Sequence, residues 1–173
     1  MSLERSYFAI KRDSQGVEYI TSPDEVIIVA LGPGNIVYFI TEPAPAFGEN
    51  TLLLPGGTVE DSEELAVTAN RELQEELGYR AGELTSLGEL RPWSKYLAVR
   101  THVFLARDLI VSRLLGDEDY EIHIAPHPLR SWENLIKKGH LHDARVIAAL
   151  YLTKSYLQKI NRQSMRNSTT QKT

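Results

Sequence analysis

The sequence predicts an α/β protein of the α+β kind, in which helices cover both faces of a mixed β-sheet. Two near-continuous apolar runs, EVIIVAL at Glu25–Leu31 and IVYFI at Ile36–Ile40, are typical of strands that are buried on both faces. Strand-like segments lie on both sides of one central helix that ends near Gly78, and two further helices follow towards the C-terminus. We therefore expect a single sheet between two layers of helices.

Composition limits the class of protein. A length of 173 residues suits one domain, and 42% hydrophobic with 24% charged residues is ordinary for a soluble globular chain. A net charge of −4 gives no footprint for non-specific nucleic-acid binding, and the absence of cysteine excludes disulfides and thiolate metal sites. No apolar run has the length of a signal peptide or a membrane span. We expect a cytoplasmic protein with neither nucleic acid nor membrane as a partner.

The N-terminal half is predicted to be mainly strands. Two strands, Ser6–Lys11 and Val17–Ile20, precede the buried pair, which the turn Gly32–Asn35 connects. The proline-rich stretch Glu42–Asn50 predicts an irregular loop. A short strand at Thr51–Leu54 then leads to a pair of glycines, which allow close approach of a ligand to the backbone.

The C-terminal half alternates strands, a long acidic connection and helices. The predicted segments are strands at Glu83–Leu90 and Arg100–Ala106, an acidic connection at Arg107–Tyr120, a strand at Glu121–Ile124, and helices from Ser131 to Lys138 and from Asp143 to Ile160. We expect residues 1–160 to form one domain. Residues 161–173 are rich in Ser, Thr, Asn and Gln, which predicts a disordered tail.

The central helix has clear start and stop signals. Asp61 or Ser62 can cap its start, Asp61 with Glu64 can form a capping box, and Gly78 stands at a left-handed stop position. The apolar stripe that should face the sheet consists of Leu65, Ala69, Leu73 and Leu77.

Three carboxylates flank this stripe. At about 100° per residue, Glu72 and Glu76 project on its margin, with Glu75 beside them. Like charges at i and i+4 repel by about 0.2–0.5 kcal/mol on an exposed helix, and burial increases the repulsion. A solvated acidic face is one interpretation, although such a face would lie opposite the leucines. The other is a hard divalent cation bound by carboxylate oxygens.

The spacing around these residues resembles the Nudix box. Gly57 is followed after five residues by Glu63 and after seven more by RELQEELGY, so that every fixed position of G-x5-E-x7-R-E-U-x-E-E-x-G-U is matched. The resemblance implies an α/β/α sandwich with a mixed sheet. It also implies hydrolysis of a nucleoside diphosphate linked to another group, with Mg²⁺ or Mn²⁺ as the cofactor.

The resemblance assigns roles within the box. It implies that Glu72 and Glu76 are metal ligands and that Glu75 shares in binding the metal. It also implies that the carbonyl of Gly56 is a further ligand. Arg71 would orient the glutamates by pairing with Glu63. An ordinary i,i+4 pair between Arg71 and Glu75 is the alternative, and both can hold together.

The acidic connection and the C-terminal helices resemble the ADP-ribose and nucleotide-sugar branch of Nudix proteins. In that branch a loop glutamate is the general base, which here falls on Glu118. A second loop glutamate two residues later helps to bind metal, and here that position is Tyr120. Either Glu121 replaces it with a shifted loop, or one metal site is weakened. The simplest alternative for this acidic run is a solvated turn.

Substrate contacts are predicted in and beside the loop between the strands Glu83–Leu90 and Arg100–Ala106. Trp93 and Tyr96 are candidates for stacking on a base, and Arg91 and Arg100 for contacts to phosphate or ribose, with Glu121 from the acidic loop. Each has a structural alternative, as a packing residue for Trp93 and as a solvated charge for the arginines.

The resemblance thus implies Mg²⁺-dependent cleavage of the diphosphate bridge of ADP-ribose or a related nucleoside diphosphate sugar. The products would be a nucleoside monophosphate and a sugar phosphate. A triphosphate or dinucleotide pyrophosphohydrolase and a non-catalytic nucleotide sensor are the alternatives. The branch also implies a homodimer in which the strands of residues 1–21 are exchanged between subunits.

Overall fold

The computed structural model describes residues 8–116 and 120–170. In chain order, the elements are β1 (Ala9–Arg12), β2 (Glu18–Thr21), β3 (Glu25–Gly32), β4 (Ile36–Ala44), β5 (Glu49–Leu53), β6 (Gly56–Thr58), α1 (Leu65–Glu72), β7 (Tyr79–Leu90), β8 (Leu97–Ala98), β9 (Thr101–Val111), β10 (His123–Pro128), α2 (Glu133–Lys137) and α3 (Ala144–Thr170). A π-helical segment, Leu73–Leu77, continues α1 without a break up to Gly78. Within the described ranges, no helix combines the length and the apolar character needed to cross a membrane.

The main sheet is mixed, as predicted. Its strand order is β10-β4-β3-β9-β7, with β5 paired to β4 and β6 paired to β3. Strands β3 and β9 run parallel, whereas β4, β6 and β7 join them in antiparallel pairs. A separate small sheet has the order β1-β2-β8.

The core has two layers, one on each face of this sheet. Alternate residues of β3 point to opposite faces, and all six from Val26 to Leu31 are buried. Ile27, Val29 and Leu31 pack in the layer that contains the α3 residues Val146, Ala149 and Leu150. The opposite layer contains Val26, Ile28 and Ala30 with the α1 stripe Ala69, Leu73 and Leu77. This arrangement confirms the α/β/α sandwich and the two-faced burial of the apolar runs.

The proline-rich stretch at Glu42–Asn50 forms the end of the β4–β5 hairpin, with a turn at residues 45–48, and the prediction of an irregular loop is wrong. Strand β4 continues to Ala44, and Pro43 pairs with Asn50 of β5. The pairing of β10 with β4 ends at Thr41, so β4 has only the β5 side to satisfy beyond that point. A proline is tolerated where one side of a strand is unpaired.

The start of the central helix also differs from the prediction. Helix α1 begins at Leu65 with Glu64 as its N-cap, and no side chain caps it. Ser62 has a positive φ of 68°, which keeps it outside the helix. The neighbouring Glu63 carboxylate accepts hydrogen bonds from Thr68 and Arg71, which both lie in α1. These bonds hold the segment before the helix against its first two turns. Gly78 adopts the left-handed conformation of a helix stop, with φ 76°.

Several other elements have different limits from those expected. Strand β7 begins at Tyr79 and not at Glu83, and helix α2 begins at Glu133 and not at Ser131. Strand β9 continues to Val111, into the predicted acidic connection. Strand β10 begins at His123 and continues through two prolines, which its edge position allows. Helix α3 extends to Thr170, past Ile160, with the side chains of residues 161–167 exposed.

Candidate active site

The two glycines before α1 bring backbone into contact with helix carboxylates. Strand β6 pairs with β3, and the Gly56 N–H donates a hydrogen bond of 3.0 Å to Oε2 of Glu76. A Cβ atom at Gly57 would overlap the carboxyl group of Glu72, and one at Gly56 would overlap the carbonyl oxygen of Val26. Only glycine permits these two close contacts, of Gly57 with Glu72 and of Gly56 with Val26. The position of β6 between β3 and α1 therefore depends on these two residues.

Burial separates the box carboxylates from an ordinary acidic surface. Glu72 and Glu76 are each 5% exposed, although they lie one turn apart on the same helix. The solvated-face interpretation is therefore wrong for these two side chains. Removing two carboxylates from water is unfavourable unless charges or hydrogen bonds compensate for the lost hydration. Both carboxylates therefore need a positive charge or hydrogen-bond donors close to them.

Arg71 is the cation at the centre of this group. Its Nη1 lies 2.8 Å from Glu72 Oε1 and 3.0 Å from Glu75 Oε2. Its Nε lies 3.2 Å from Glu63 Oε1, and Nη2 donates to Glu63 Oε2 and to the Thr58 carbonyl, both at 3.2 Å. The two pairings predicted for Arg71 therefore occur together. One guanidinium thus pairs with three carboxylates, and its hydrogen bond to the Thr58 carbonyl connects α1 to β6.

The same contacts shift two pKa values. The hydrogen bond from Arg71 lowers the pKa of Glu63, against a smaller opposing effect of burial. For Arg71, burial acts against the charged form, but the hydrogen bond to Glu63 and the charge of Glu72 outweigh it and raise the pKa. Arg71 and Glu63 are thus an ion pair throughout the physiological pH range.

The donor set of this site suits a hard divalent cation. Among residues 8–116 and 120–170, no three His, Cys, Asp or Glu side chains are grouped as they would be around a metal ion. However, the buried carboxylate oxygens of Glu72 and Glu76 lie directly against the Gly56–Gly57 backbone. Carboxylate and carbonyl oxygens are the ligands that Mg²⁺ and Mn²⁺ prefer. The residues present therefore fit such an ion.

The predicted substrate contacts form a second group near the small sheet. The rings of Trp93 and Tyr96 meet edge to face, with centroids 5.1 Å apart, and both side chains are largely exposed. Arg91 lies 2.9 Å from Glu89, and Arg100 lies 3.5 Å from both Glu89 and Asp24. Exposed aromatic rings beside arginines leave this loop accessible to a ligand.

Asp24 connects this loop to the box. It lines a cleft of about 260 Å³ together with Arg91 and Arg100. Its backbone carbonyl accepts a 2.9 Å hydrogen bond from the N–H of Val59, between Gly57 and the helix. The cleft therefore adjoins the segment that leads into α1. Sequence reasoning did not find Asp24, because its role depends on contacts with residues 35 or more positions away in the chain.

The acidic loop is described only in part. Glu118 lies outside the described residues, as do Asp117 and Asp119. Before them, the Leu114 N–H donates to the Gln74 carbonyl of the box helix at 3.2 Å. After them, the Tyr120 hydroxyl donates to Glu42 at 3.4 Å. Ile122 packs in the same core layer as α1, so both flanks of the loop lie on the α1 side of the sheet.

Glu121 differs from the buried box carboxylates in its exposure to solvent. Its side chain is 82% exposed and its Oε1 is 3.7 Å from Nδ1 of His123.

Two contributors to the Arg71 network were also missed by sequence reasoning. Thr68, which is fully buried, donates to Glu63 at 2.9 Å, and the Thr58 carbonyl accepts from Arg71. A threonine five residues after the first box glutamate could have indicated the former, but a backbone carbonyl leaves no signal in the sequence.

Comparison with known families agrees with this geometry. The NUDIX domain matches residues 21–150 of the chain. The chain belongs to the Nudix family. The matched range begins at the end of β2 and ends within α3, so it includes the whole main sheet and the box helix.

Two relatives and one solved structure that resemble this chain are named as enzymes acting on ADP compounds or ADP-ribose. The chain is 29% identical over 138 residues to the ADP compounds hydrolase NudE of Escherichia coli (strain K12), covering 80% of this chain and 74% of the relative. It is 28% identical over 143 residues to the ADP-ribose pyrophosphatase of Bacillus subtilis (strain 168), with 82% and 75% covered. A crystal structure of an ADP compounds hydrolase superposes with a TM-score of 0.77 at 26% identity, covering 94% of this chain and 92% of that one. This protein is thus a Nudix hydrolase, and Nudix hydrolases generally use a divalent metal.

Proposed function

We propose that this enzyme hydrolyses the diphosphate bridge of ADP-ribose or of a related nucleoside diphosphate sugar. Water would attack one phosphorus atom, the P–O bond of the anhydride would break, and a nucleoside monophosphate and a sugar phosphate would leave. The observation that carries the proposal is the burial of Glu72 and Glu76 against the Gly56–Gly57 backbone. The relatives described as acting on ADP compounds and ADP-ribose support this choice of substrate.

The proposed cofactor is Mg²⁺, or Mn²⁺ in its place. Glu72 and Glu76 would hold it, with Glu75 and the carbonyl of Gly56 as further donors. When bound, the ion would supply positive charge that stabilises the phosphate oxygens during cleavage. The chain's own contribution is to keep these carboxylates ionised and oriented, and the contacts of Arg71 with Glu63, Glu72 and Glu75 serve that purpose.

The proposed general base is Glu118. The base would come from an element other than the box helix, because Glu72 and Glu75 pair with Arg71, Glu76 bonds to Gly56, and these carboxylates would also hold the ion. The flanks of the acidic loop lie on the α1 side of the sheet, which supports this choice. Glu118 would accept the proton of the attacking water. Glu121 would assist metal binding if the loop closes over the substrate.

Recognition of the nucleoside is assigned to the loop before β8. Trp93 and Tyr96 would stack on the base, and Arg91 and Arg100 would contact phosphate or ribose. The hydrogen bond between Asp24 and Val59 supports this assignment, because it connects the cleft beside Arg91 and Arg100 to the segment that enters α1, where the diphosphate would lie.

We also propose that the active assembly is a homodimer in which residues 1–21 take part in the interface. The described part of this segment exposes three apolar side chains: Phe8 is 63%, Ile10 is 73% and Val17 is 58% exposed. Light scattering at micromolar concentration should give the mass of two chains. The mass of one chain would contradict the dimer but leave the chemistry intact.

A product assay over a substrate panel tests the proposed activity. The panel contains ADP-ribose, nucleotide sugars, a dinucleoside polyphosphate and nucleoside triphosphates, with a coupled phosphatase to release phosphate from the products. ADP-ribose or a nucleotide sugar should have the highest kcat/KM, and omission of Mg²⁺ should remove the activity. Preference for triphosphates would replace the proposed function with a house-cleaning pyrophosphohydrolase. Tight binding without turnover of any compound would indicate a sensor.

A further inference from the structure

The box helix departs from regular α-helical geometry where it carries Glu75 and Glu76. The segment Leu73–Leu77 is a π turn, and Gly78 ends it. Such turns are rare, because the same residues can usually form ordinary α-helical turns, and they occur frequently at functional sites. A widened turn therefore needs contacts from outside the helix that favour it over the α-helical alternative.

The residues that directly follow β9 supply such contacts. The Ser112 N–H donates to the Gly78 carbonyl at 2.9 Å, and the Leu114 N–H donates to the Gln74 carbonyl at 3.2 Å. The Ser112 hydroxyl also bonds to Oε1 of Gln74, at 2.8 Å. These three hydrogen bonds engage both the beginning of the widened turn and the glycine that ends it.

The Gln74 side chain connects these contacts to the helix before the turn. Its Nε2 donates to the Asn70 carbonyl at 2.9 Å. In a regular α-helix that carbonyl accepts from the backbone N–H of Gln74, four residues later. The side-chain amide therefore competes for an acceptor that the α-helical alternative uses. Because the NH₂ group faces Asn70, the amide oxygen faces Ser112, and the serine hydroxyl is the donor of their bond.

The widened turn determines the direction of the carboxylates within it. Glu72 lies before the turn, in α1, whereas Glu76 lies inside it. One residue of a helix corresponds to about 100° of rotation. A return to α-helical turns would therefore carry Glu76 away from the Gly56 N–H, to which it bonds at 3.0 Å. The ion pair of Arg71 with Glu72 would be kept, since both residues precede the turn.

We propose that Ser112 and Gln74 are positioning residues, which hold the widened turn and thereby direct Glu76 towards Gly56. This role concerns the protein before any ion binds. Its consequence for metal affinity rests on the proposed function, in which Glu76 is a ligand. Loss of a group that orients a metal ligand weakens metal binding by about 10–100-fold.

The first test needs no metal. The amide signal of Gly56 is followed by NMR on the full, isotope-labelled chain in a chelating buffer. Ser112→Ala and Gln74→Met should each accelerate hydrogen exchange of this N–H about five- to tenfold, the effect of weakening one hydrogen bond. Ser112→Thr keeps the hydroxyl and should restore the exchange rate of the unmodified chain. The double variant should exchange no faster than Gln74→Met alone, because the two side chains share one bond.

The second test is Mn²⁺ binding, measured from the electron paramagnetic resonance signal of the free ion. The dissociation constant should rise about tenfold in Ser112→Ala and in Gln74→Met, and stay unchanged in Ser112→Thr. Asn70→Ala is the matched control, because it removes another 2.9 Å bond of the box helix, from the Ala81 N–H to the Asn70 side chain. Whatever its effect on the melting temperature, it should leave Gly56 exchange and Mn²⁺ affinity unchanged.

Two results would overturn the proposal. One is that Ser112→Ala and Gln74→Met leave Gly56 exchange as it is in the unmodified chain. The other is that Asn70→Ala accelerates this exchange equally, because general destabilisation would then explain all three variants. An unmodified chain that binds no Mn²⁺ would contradict the proposed cofactor instead, and the metal-free measurement would still decide the role of Ser112 and Gln74.

Discussion

The backbone N–H of Gly56 donates a 3.0 Å hydrogen bond to the carboxylate of Glu76, twenty residues further along the chain. This bond joins the segment before the helix to the last turn of the box. It also places a polar donor beside a carboxylate that is 5% exposed. The site is therefore held at both ends, by this contact and by the pairing of Arg71 with Glu63.

The first prediction concerns the two buried carboxylates. Glu72→Gln and Glu76→Gln should each abolish Mg²⁺-dependent turnover, because a neutral amide is a poor ligand for a hard cation. Without metal, Glu76→Gln should melt at or above the temperature of the unmodified chain, since the repulsion between two buried carboxylates is removed. Glu72→Gln should melt no higher than the unmodified chain, because it also loses the ion pair with Arg71. Activity assays and thermal denaturation measure the two effects. Glu64→Gln, on the exposed N-cap of the same helix, is the control and should be fully active. Near-normal activity of either buried variant at saturating Mg²⁺ would refute the metal assignment.

The second prediction separates the two glutamates of the acidic loop. Glu118→Gln should lower kcat by roughly 10²–10⁴-fold with little change in KM, the usual effect of losing a positioned base. Glu121→Gln should instead raise the Mg²⁺ concentration needed for half-maximal rate. Tyr120→Phe, which removes only the hydroxyl bonded to Glu42, is the control and should have a small effect. Steady-state kinetics at two Mg²⁺ concentrations decide between these outcomes. If all three variants behave like the parent enzyme, the loop is a solvated turn.

The third prediction concerns the close approach of Gly57. Gly57→Ala should reduce kcat at least a hundredfold, because the added methyl group overlaps the carboxyl group of Glu72 and must displace it. Gly32→Ala is a matched control, since it adds the same methyl group against the Tyr38 ring and not against a box carboxylate. That variant should retain turnover of the natural substrate. Equal losses of activity in the two variants would mean that general destabilisation is the cause.

The fourth prediction concerns acid stability. The pKa of Glu63 is lowered in the folded protein from an ordinary value of 4.5, so the ionised carboxylate stabilises the fold. This contribution is complete above the unfolded pKa and is lost as the pH falls through the lower native value. Glu63→Gln should therefore have a lower urea midpoint than the unmodified chain at about pH 6, and the difference should narrow towards about pH 3. Glu60→Gln, an exposed neighbour, should show no such convergence. A difference that does not change with pH would rule out the ion pair as the source.

Sequence reasoning reached the features that depend on local geometry. The spacing of Glu72 and Glu76 predicted that both would lie on the margin of the apolar stripe, although the widened turn at Leu73–Leu77 sets the final direction of Glu76. The alternation of buried residues in β3 followed in the same way from its β-branched run. Both the sandwich and the arrangement of the box carboxylates could therefore be predicted.

The features that were missed depend on contacts between distant segments. The strand pairing of Pro43 with Asn50 depends on where β10 ends, which local composition does not reveal. The bond between Val59 and Asp24 joins residues that are far apart in the chain. The start of α1 was misplaced because Glu63 bonds to Arg71 and Thr68 instead of continuing the helix. In each case a tertiary contact overrode a local preference.

The π-helical segment Leu73–Leu77 has a consequence for engineering. A π turn contains about one residue more than an α turn, so residues beyond it are rotated relative to a regular helix. The glutamate that bonds to Gly56 lies within this segment. Transplanting the motif onto an ideal α-helix of a designed scaffold would therefore reproduce its sequence but turn Glu76 away from the backbone that it must meet. A successful transplant would have to carry the widened turn, and the left-handed glycine that ends it, along with the carboxylates.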